Sequence, residues 1–403
     1  MSPSTLTVSA ISHPTFFIPT YHIAHITRRI SSTANIHPPA TLRLGKRWME
    51  FQGANNWDGL LYPLNPTLRA EILRYGSFVQ AAYTCCDLDP FSSSYATCRF
   101  PKHSLLRLSG LPSSGYRVTR NLHATSTSRL PRWAADAAPS FISRQSSCIG
   151  FVAVCNNDTE LSRLGRRDVV ISLRGTVTFL EWLDNLHASL TPFCSTKPER
   201  SEHKPMVERG FLNLFTSASP EYHSLRDQIR KVVRCLLNEF DSGPAISFTF
   251  TGHSLGAALA VLAADDVKAM VGRTGPMVTV VSFGGPRVGN ASFGRRMEAQ
   301  GSKVLRIVNT NDIITRVPGF VHNSEKESLA SNWLLSKTGW VYADIGRELR
   351  LRGSRNANVV ACHDLKHYLH LVNQLSDACP NFTSEEENPR KWRGPAFVPG
   401  DVY

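Results

Sequence analysis

A chain of 403 residues, 42% apolar and 19% charged, has room for one large α/β domain or two modest ones, and its composition excludes a disordered or fibrous class. The formal net charge of +13 is spread along the chain without a dense Lys/Arg block interleaved with aromatics. Nucleic-acid binding is therefore not expected and attraction to an anionic membrane is, with a merely solvated basic surface as the alternative. No apolar run approaches the roughly 18 residues needed to cross a bilayer, so a soluble or surface-bound protein is expected.

Residues 1–47 are rich in Ser and Thr, lack Asp and Glu, and carry Arg28, Arg29, Arg43, Lys46 and Arg47 late, the composition of an organelle transit peptide. They lack the basic start and apolar stretch of a secretory signal. The Ser/Thr content points to a plastid rather than a mitochondrion, and a disordered tail is the competing reading. The mature domain is expected over 48–382, opening on an aromatic-rich segment from Trp48 to Pro63. Leu68, Ile72, Tyr75, Val79 and Ala82 then recur at helical spacing.

Farther along, short apolar runs alternate with helical patterns, as in parallel sheets joined by crossover helices. Strands are expected at Ile149–Val154, Asp168–Leu173, Ile246–Thr251, Val278–Phe283 and Lys303–Val308, and helices over Tyr222–Phe240 and Leu255–Val271. A doubly wound α/β sheet follows. After the second strand, Arg174-Gly-Thr-Val-Thr offers a close backbone approach at Gly175, beside which Thr176 is a candidate oxyanion donor through its N–H or hydroxyl; a β-turn containing Gly is the plainer reading. Phe179, Leu183, Leu186 and Leu190 form one helical stripe with Trp182 beside it, either buried core or a lid that presents Trp and Leu to acyl chains. The basic run Ser195–Lys204 reads as a further loop over the cleft.

Ile246 to Ala260 carries the decisive signal: a strand runs into Gly252-His253-Ser254-Leu255-Gly256 and on into a small-residue helix. A serine on so tight a turn is exposed above the sheet edge. Gly252 and Gly256 remove side chains where strand and helix approach, and the helix start directs N–H groups, that of Leu255 among them, at developing negative charge. A serine nucleophile needs a histidine base and a carboxylate to orient it, in the chain order Ser, acid, His for such an elbow. Asp312, just past the strand Lys303–Val308, is the acid candidate, with a turn-forming role as its alternative. His363, His367 and His370 compete for the base. If Asp364 caps the following helix, His363 lies on the loop before it, free to reach Ser254, while the other two ride on the helix. Nine cysteines without a CxxC pair give little support to a zinc site or disulfide framework, so most are expected to be reduced packing residues. The Glu- and Pro-containing tail 383–403 looks peripheral.

Together these residues resemble the class 3 lipase family, and within it the plant plastid phospholipase A1 group. The resemblance spans about Trp48 to Asp377 and rests on Trp57-Asp-Gly-Leu-Leu-Tyr-Pro-Leu, Leu122-His-Ala-Thr-Ser, Arg174-Gly-Thr-Val-Thr, Glu181-Trp-Leu, Gly252-His-Ser-Leu-Gly, Gly284-Gly-Pro-Arg-Val-Gly-Asn, Asn311-Asp and His363-Asp-Leu-Lys-His-Tyr-Leu-His. It implies an α/β-hydrolase fold and an sn-1 acyl hydrolase of phospholipid, galactolipid or triacylglycerol, with no metal or organic cofactor. By motif it assigns Ser254 as nucleophile, Asp312 as acid, His363 as base, and Thr176 and Leu255 as oxyanion donors. Leu173 departs from the aromatic residue the family usually has there. The implied partners are lipids at a membrane or lipid-droplet surface, and the implied location is the plastid, in the stroma or on a thylakoid or plastoglobule surface. A lipid-binding or signalling scaffold without turnover and a hydrolase of soluble esters are the alternatives.

Overall fold

An apolar run without alternation needs cover on both faces of a sheet, and Val169-Val170-Ile171 is such a run, buried throughout. The computed structural model describes residues 43–89, 91–126, 146–176, 189–193, 204–318, 342–353 and 358–375. Its strands are β1 (Tyr116–Thr125), β2 (Ser146–Cys155), β3 (Arg167–Leu173), β4 (Leu190–Pro192), β5 (Met206–Glu208), β6 (Ile246–His253), β7 (Met277–Phe283), β8 (Lys303–Asn309) and β9 (Arg347–Leu351). Among the described residues, seven form one sheet in the order β1-β2-β3-β6-β7-β8-β9, while β4 and β5 pair as a separate ribbon. Pairing is parallel from β3 through β9 and antiparallel for β1 with β2 and β2 with β3. This central, mostly parallel sheet flanked by helices is the α/β-hydrolase fold.

The expected strands are present, each a residue or a few longer than its apolar core. The sheet is mixed, however, because β1 and β2 enter as antiparallel neighbours. Two strands lack the expected apolar signature. In β1 the alternation is broken by register shifts between Val118 and Arg120 and between Leu122 and His123; β9 is short and charged, burying Leu349 and Leu351 between exposed arginines.

Helices cover both faces: α1 (Pro66–Cys85), α2 (Leu225–Glu239), α3 (Leu255–Val271), α4 (Ala291–Gln300) and α5 (Leu365–Gln374). Side-chain alternation divides the core in two. Phe151, Ala153, Val170, Phe283 and Ile307 pack with α1 and α5 on one face, and Val152, Val154, Ile171, Phe248 and Phe250 pack with α2, α3 and α4 on the other. α1 begins where Asn65 Oδ1 accepts from the Thr67 and Leu68 N–H groups, with Pro66 at the first helical position. Leu190 lies in β4, not on the helical stripe expected from Phe179: Pro192 holds the residue before it in extended backbone.

A buried polar cluster ties α1 to β3. Asp168 accepts from Tyr116 Oη (2.8 Å), Thr249 Oγ1 (2.9 Å), Tyr75 Oη (3.1 Å) and Arg74 Nη2 (3.3 Å), with Arg166 Nη2 at 3.7 Å. Burial raises the Asp168 carboxyl, but Arg166 and Arg74 override it and hold the group below the ordinary carboxylate range. Asp168→Asn leaves the fully buried Arg166 guanidinium without its paired carboxylate, while Arg74 keeps Glu71, and is expected to lower unfolding free energy by about 3–5 kcal/mol at pH 7. A carboxyl with a depressed folded-state pKa contributes stability above its unfolded value and loses it as pH falls through the folded one. Urea unfolding should therefore show the gap between the two proteins narrowing below about pH 4; a gap independent of pH contradicts this account.

Candidate active site

Strand β6 ends by turning sharply into α3, and Ser254 occupies the corner with φ 57° and ψ −127°, a strained conformation for a residue with a side chain. Two glycines make the corner possible. A Cβ on Gly252 would meet the Gly256 carbonyl carbon and oxygen at 2.4 Å, and one on Gly256 would meet the Leu173 and Arg174 carbonyl oxygens at 2.4 and 2.5 Å. The end of β3 therefore lies directly against the start of α3.

The loop before α5 brings His363 over this corner, with Nε2 2.9 Å from Ser254 Oγ and Nδ1 2.7 Å from Asp312 Oδ2. Asp312 follows β8, is fully buried, and accepts from two donors besides His363 among the described residues: Tyr368 Oη to Oδ2 at 2.6 Å and the Ile314 N–H to Oδ1 at 2.9 Å. An ionised carboxylate only accepts. His363 accordingly carries its proton on Nδ1, and the Nε2 lone pair faces the serine hydroxyl. The Asx turn to Ile314 and the contact with His363 use different oxygens, so the two readings of Asp312 left open by the sequence are compatible. Asp364 caps α5 through the Lys366 and His367 N–H groups. His367 and His370 ride on that helix, and only His363 is brought to Ser254.

Three further residues, not singled out from sequence, hold this line. Tyr368 spends its proton on Asp312 while its oxygen accepts the Asn309 N–H at 3.2 Å, and Asn309 Nδ2 donates to the Cys362 carbonyl beside His363 at 3.0 Å. Burial first and the Asp312 charge next raise the Tyr368 phenol well above its usual range. Gly284, at φ 55°, allows the tyrosine this close: a Cβ there would sit 3.1 Å from Tyr368 Oη and 3.2 Å from Asp312 Oδ2. Tyr83, on α1, takes the Gly175 N–H at 2.9 Å and lies 2.8 Å from His253 Nδ1; His253 Nε2 lies 2.7 Å from the His363 carbonyl. The carbonyl only accepts, so His253 is protonated on Nε2 and its Nδ1 accepts from Tyr83. Burial, then the neighbouring His363, push the His253 pKa down to about 3, which keeps this bridge neutral.

Gly175 itself lies on the serine: a Cβ on it would meet Ser254 Cβ at 2.9 Å. The adjacent Thr176 hydroxyl is buried with no hydrogen-bond partner among the described residues. The Leu255 N–H is among the first amides of α3, which have no acceptor within the helix. These donors and the hydroxyl–imidazole–carboxylate line can move a proton off an attacking oxygen and hold the oxyanion that attack creates. The lid candidates Phe179, Trp182, Leu183 and Leu186, and the loop 195–203, lie outside the described residues.

A serine on this elbow over a mostly parallel sheet, within hydrogen-bond reach of a carboxylate-oriented histidine, defines a serine hydrolase of the α/β-hydrolase class. Residues 170–322 match the family model described as lipase (class 3). The chain is 54% identical to phospholipase A(1) DAD1, chloroplastic, of Arabidopsis thaliana, over 84% of this chain and 79% of that protein, and 40% identical to galactolipase DONGLE, chloroplastic, of the same plant, over 87% and 74%. Among solved structures, nonglycosylated Yarrowia lipolytica LIP2 lipase is similar with a TM-score of 0.44 at 18% identity, covering 70% of this chain and 78% of that one. The chain belongs to the class 3 lipase family, in its plant plastid phospholipase A1 group, and is a lipid acyl hydrolase, a carboxylic ester hydrolase of the serine type. The chloroplastic labels of its relatives support a plastid location.

Tyr83→Phe removes the acceptor of the buried Gly175 N–H and the donor to His253. It is expected to cost about 1–3 kcal/mol of stability in urea denaturation. An unchanged unfolding midpoint contradicts the bridge.

Proposed function

We propose that Ser254 is the nucleophile of a phospholipase A1 reaction, with His363 as general base, Asp312 as the acid that orients it, and Thr176 and Leu255 as oxyanion donors. The observation that carries this reading is the unbroken line from Ser254 Oγ through His363 to Asp312, at 2.9 and 2.7 Å. His363 Nε2 takes the hydroxyl proton as Oγ attacks the sn-1 ester carbonyl, then returns it to the departing lysolipid oxygen. Water, deprotonated by the same nitrogen, then opens the acyl-enzyme to release a fatty acid. Neutral His253 supports the same assignment: an imidazolium in its place would repel the one that forms on His363.

Phospholipids and plastid galactolipids are the proposed substrates, as the names of the relatives suggest. Two apolar side chains beside the site favour a lipid surface over a soluble ester. Ile313 follows Asp312 and is 47% exposed, and Val360, three residues before His363, is 61% exposed. The segment around Phe179 and Trp182 is proposed as the lid. The proposed organisation is a plastid leader over 1–47, a catalytic domain over 48–382 and a peripheral tail over 383–403, with the mature protein in the stroma or on a thylakoid or plastoglobule surface.

Purified mature protein offered phosphatidylcholine, galactolipids and triacylglycerol should release fatty acid and a 2-acyl lysolipid from the first two. Ser254→Ala should reduce this about 10^6-fold, to background, and Asp312→Asn about 10^4-fold; fatty-acid release by Ser254→Ala at the wild-type rate rules out the nucleophile. Replacing Ile313 and Val360 together by Asp should depress hydrolysis of anionic phospholipid vesicles about tenfold more than hydrolysis of a short-chain soluble ester. Equal losses on both would favour a soluble-ester hydrolase.

A further inference from the structure

Three cysteines that take no part in the proposed reaction meet behind the loop bearing Gly175 and Thr176, and a fourth lies on the segment bridged to one of them. Cys85 ends α1, Cys86 follows it in extended backbone and bridges antiparallel to Cys98, and Cys148 lies in β2. All are free thiols, Cys98 half-buried and the others buried. The Sγ atoms of Cys85, Cys86 and Cys148 lie within 4.8 Å of one another, Cys86 and Cys148 at 2.8 Å; Cys98 stands across the antiparallel bridge from Cys86, its Sγ donating to the Phe100 carbonyl at 3.3 Å. Packing does not demand this. A buried thiol behaves as a small hydrophobe with a weak S–H donor and gains little from facing others of its kind, yet two separate stretches of chain deliver three soft donors to one place, with a fourth on the segment bridged to Cys86. The cysteine spacing, with no CxxC pair, carries no sign of it, because the gathering is tertiary.

We propose that Cys85, Cys86, Cys98 and Cys148 form a metal site for a soft divalent cation, Zn2+ by preference. Tetrahedral zinc at about 2.3 Å from each sulfur spaces the sulfurs by about 3.8 Å. That lies inside the 4.8 Å envelope of three of them and asks Cys86 and Cys148 to part by about 1 Å. Each thiol loses its proton to solvent as its Zn–S bond forms. Four thiolates around one zinc leave net negative charge, and the buried Arg174 guanidinium lies against the cluster, its Nε donating to the Cys148 carbonyl at 3.0 Å. The same arginine donates from Nη1 to the Gly175 carbonyl at 2.7 Å, and its backbone N–H donates to Ile149 at 2.8 Å. A metal on Cys148 therefore braces the strand edge on which the Gly175–Thr176 loop rests, the role of a structural site.

The test uses the full chain, purified, reconstituted with Zn2+ and dialysed against metal-free buffer. Elemental mass spectrometry should find about one zinc per chain, and the Co2+-loaded protein should show the intense visible bands of tetrahedral thiolate coordination. Cys98→Ser and Cys148→Ser should each lower retained zinc about tenfold or more, whereas Cys235→Ser, an exposed thiol on α2, should retain it. Wild-type protein that holds no zinc after reconstitution overturns the proposal however the variants fold. Peptide mapping that finds a Cys86–Cys148 disulfide in the freshly purified chain overturns it too, in favour of a redox pair.

Discussion

The contact on which the rest of the site depends is the one between Gly256 and the carbonyls of Leu173 and Arg174, where no Cβ fits. It sets the start of α3 against the end of β3. From that single approach follow the corner at Ser254, the loop at Gly175 lying on Ser254 Cβ, and the start of α3 at the same corner. The strained φ of Ser254 persists because β6, paired with β3 on one side and β7 on the other, over-determines it. Burial on both faces of β6, apolar at Phe248 and Phe250 on one side and polar at the Asp168 cluster on the other, holds the strand that carries the strain.

Around this corner the direction of every proton is fixed by a partner able only to accept or only to donate. Asp312 accepts throughout, which puts a proton on His363 Nδ1 and leaves Nε2 open toward the serine. The His363 carbonyl accepts, which puts a proton on His253 Nε2; the Gly175 N–H donates, which turns the Tyr83 proton toward His253 Nδ1. Two histidines 4.8 Å apart, ring centre to ring centre, thus have opposite tautomers. Only His363 has a carboxylate neighbour to stabilise an imidazolium, and His253, buried and facing a carbonyl and a phenol, stays neutral. In the proposed reaction, the positive charge that develops when a proton leaves Ser254 consequently has one place to go.

What could be read from the sequence was local in origin. The corner at Ser254 is written in five consecutive residues and the strand and helix that flank them. The position of His363 follows from the Asp364 cap, and that of Asp312 from the end of an apolar run. The five apolar strands were legible for the same reason, whereas β1 and β9 were not, since bulges and charges break their alternation and pairing with neighbours makes them strands. Leu190 continued a helical stripe by spacing until Pro192 forced extended backbone. Tyr83, Asn309 and Tyr368 were not legible as supports. Each acts on a residue from a separate element, 170 positions away for Tyr83 and His253 and 56 for Tyr368 and Asp312, and no periodicity records such a meeting. The same holds for Cys85, Cys86 and Cys148.

Helix α1 shows how much of the site's precision originates away from it. Near its middle, Arg74 and Tyr75 reach Asp168 at the start of β3, and at its C-terminal end Tyr83 takes the Gly175 N–H just past the end of the same strand. One helix thereby clamps one strand at both ends, with a buried ion cluster at one and a neutral hydrogen-bond bridge at the other. A strand fixed at one end alone could still pivot by the fraction of an ångström that separates a useful oxyanion donor from a useless one. The residues after Tyr83 continue the contact: Cys85 and Cys86 bring α1 against Cys148, whose carbonyl holds Arg174, the residue before Gly175. The loop nearest Ser254 is thus gripped from the phenol side and the guanidinium side by groups that never touch substrate. Rigidity there follows from the geometry of α1 against the sheet as directly as the corner at Ser254 follows from its glycines.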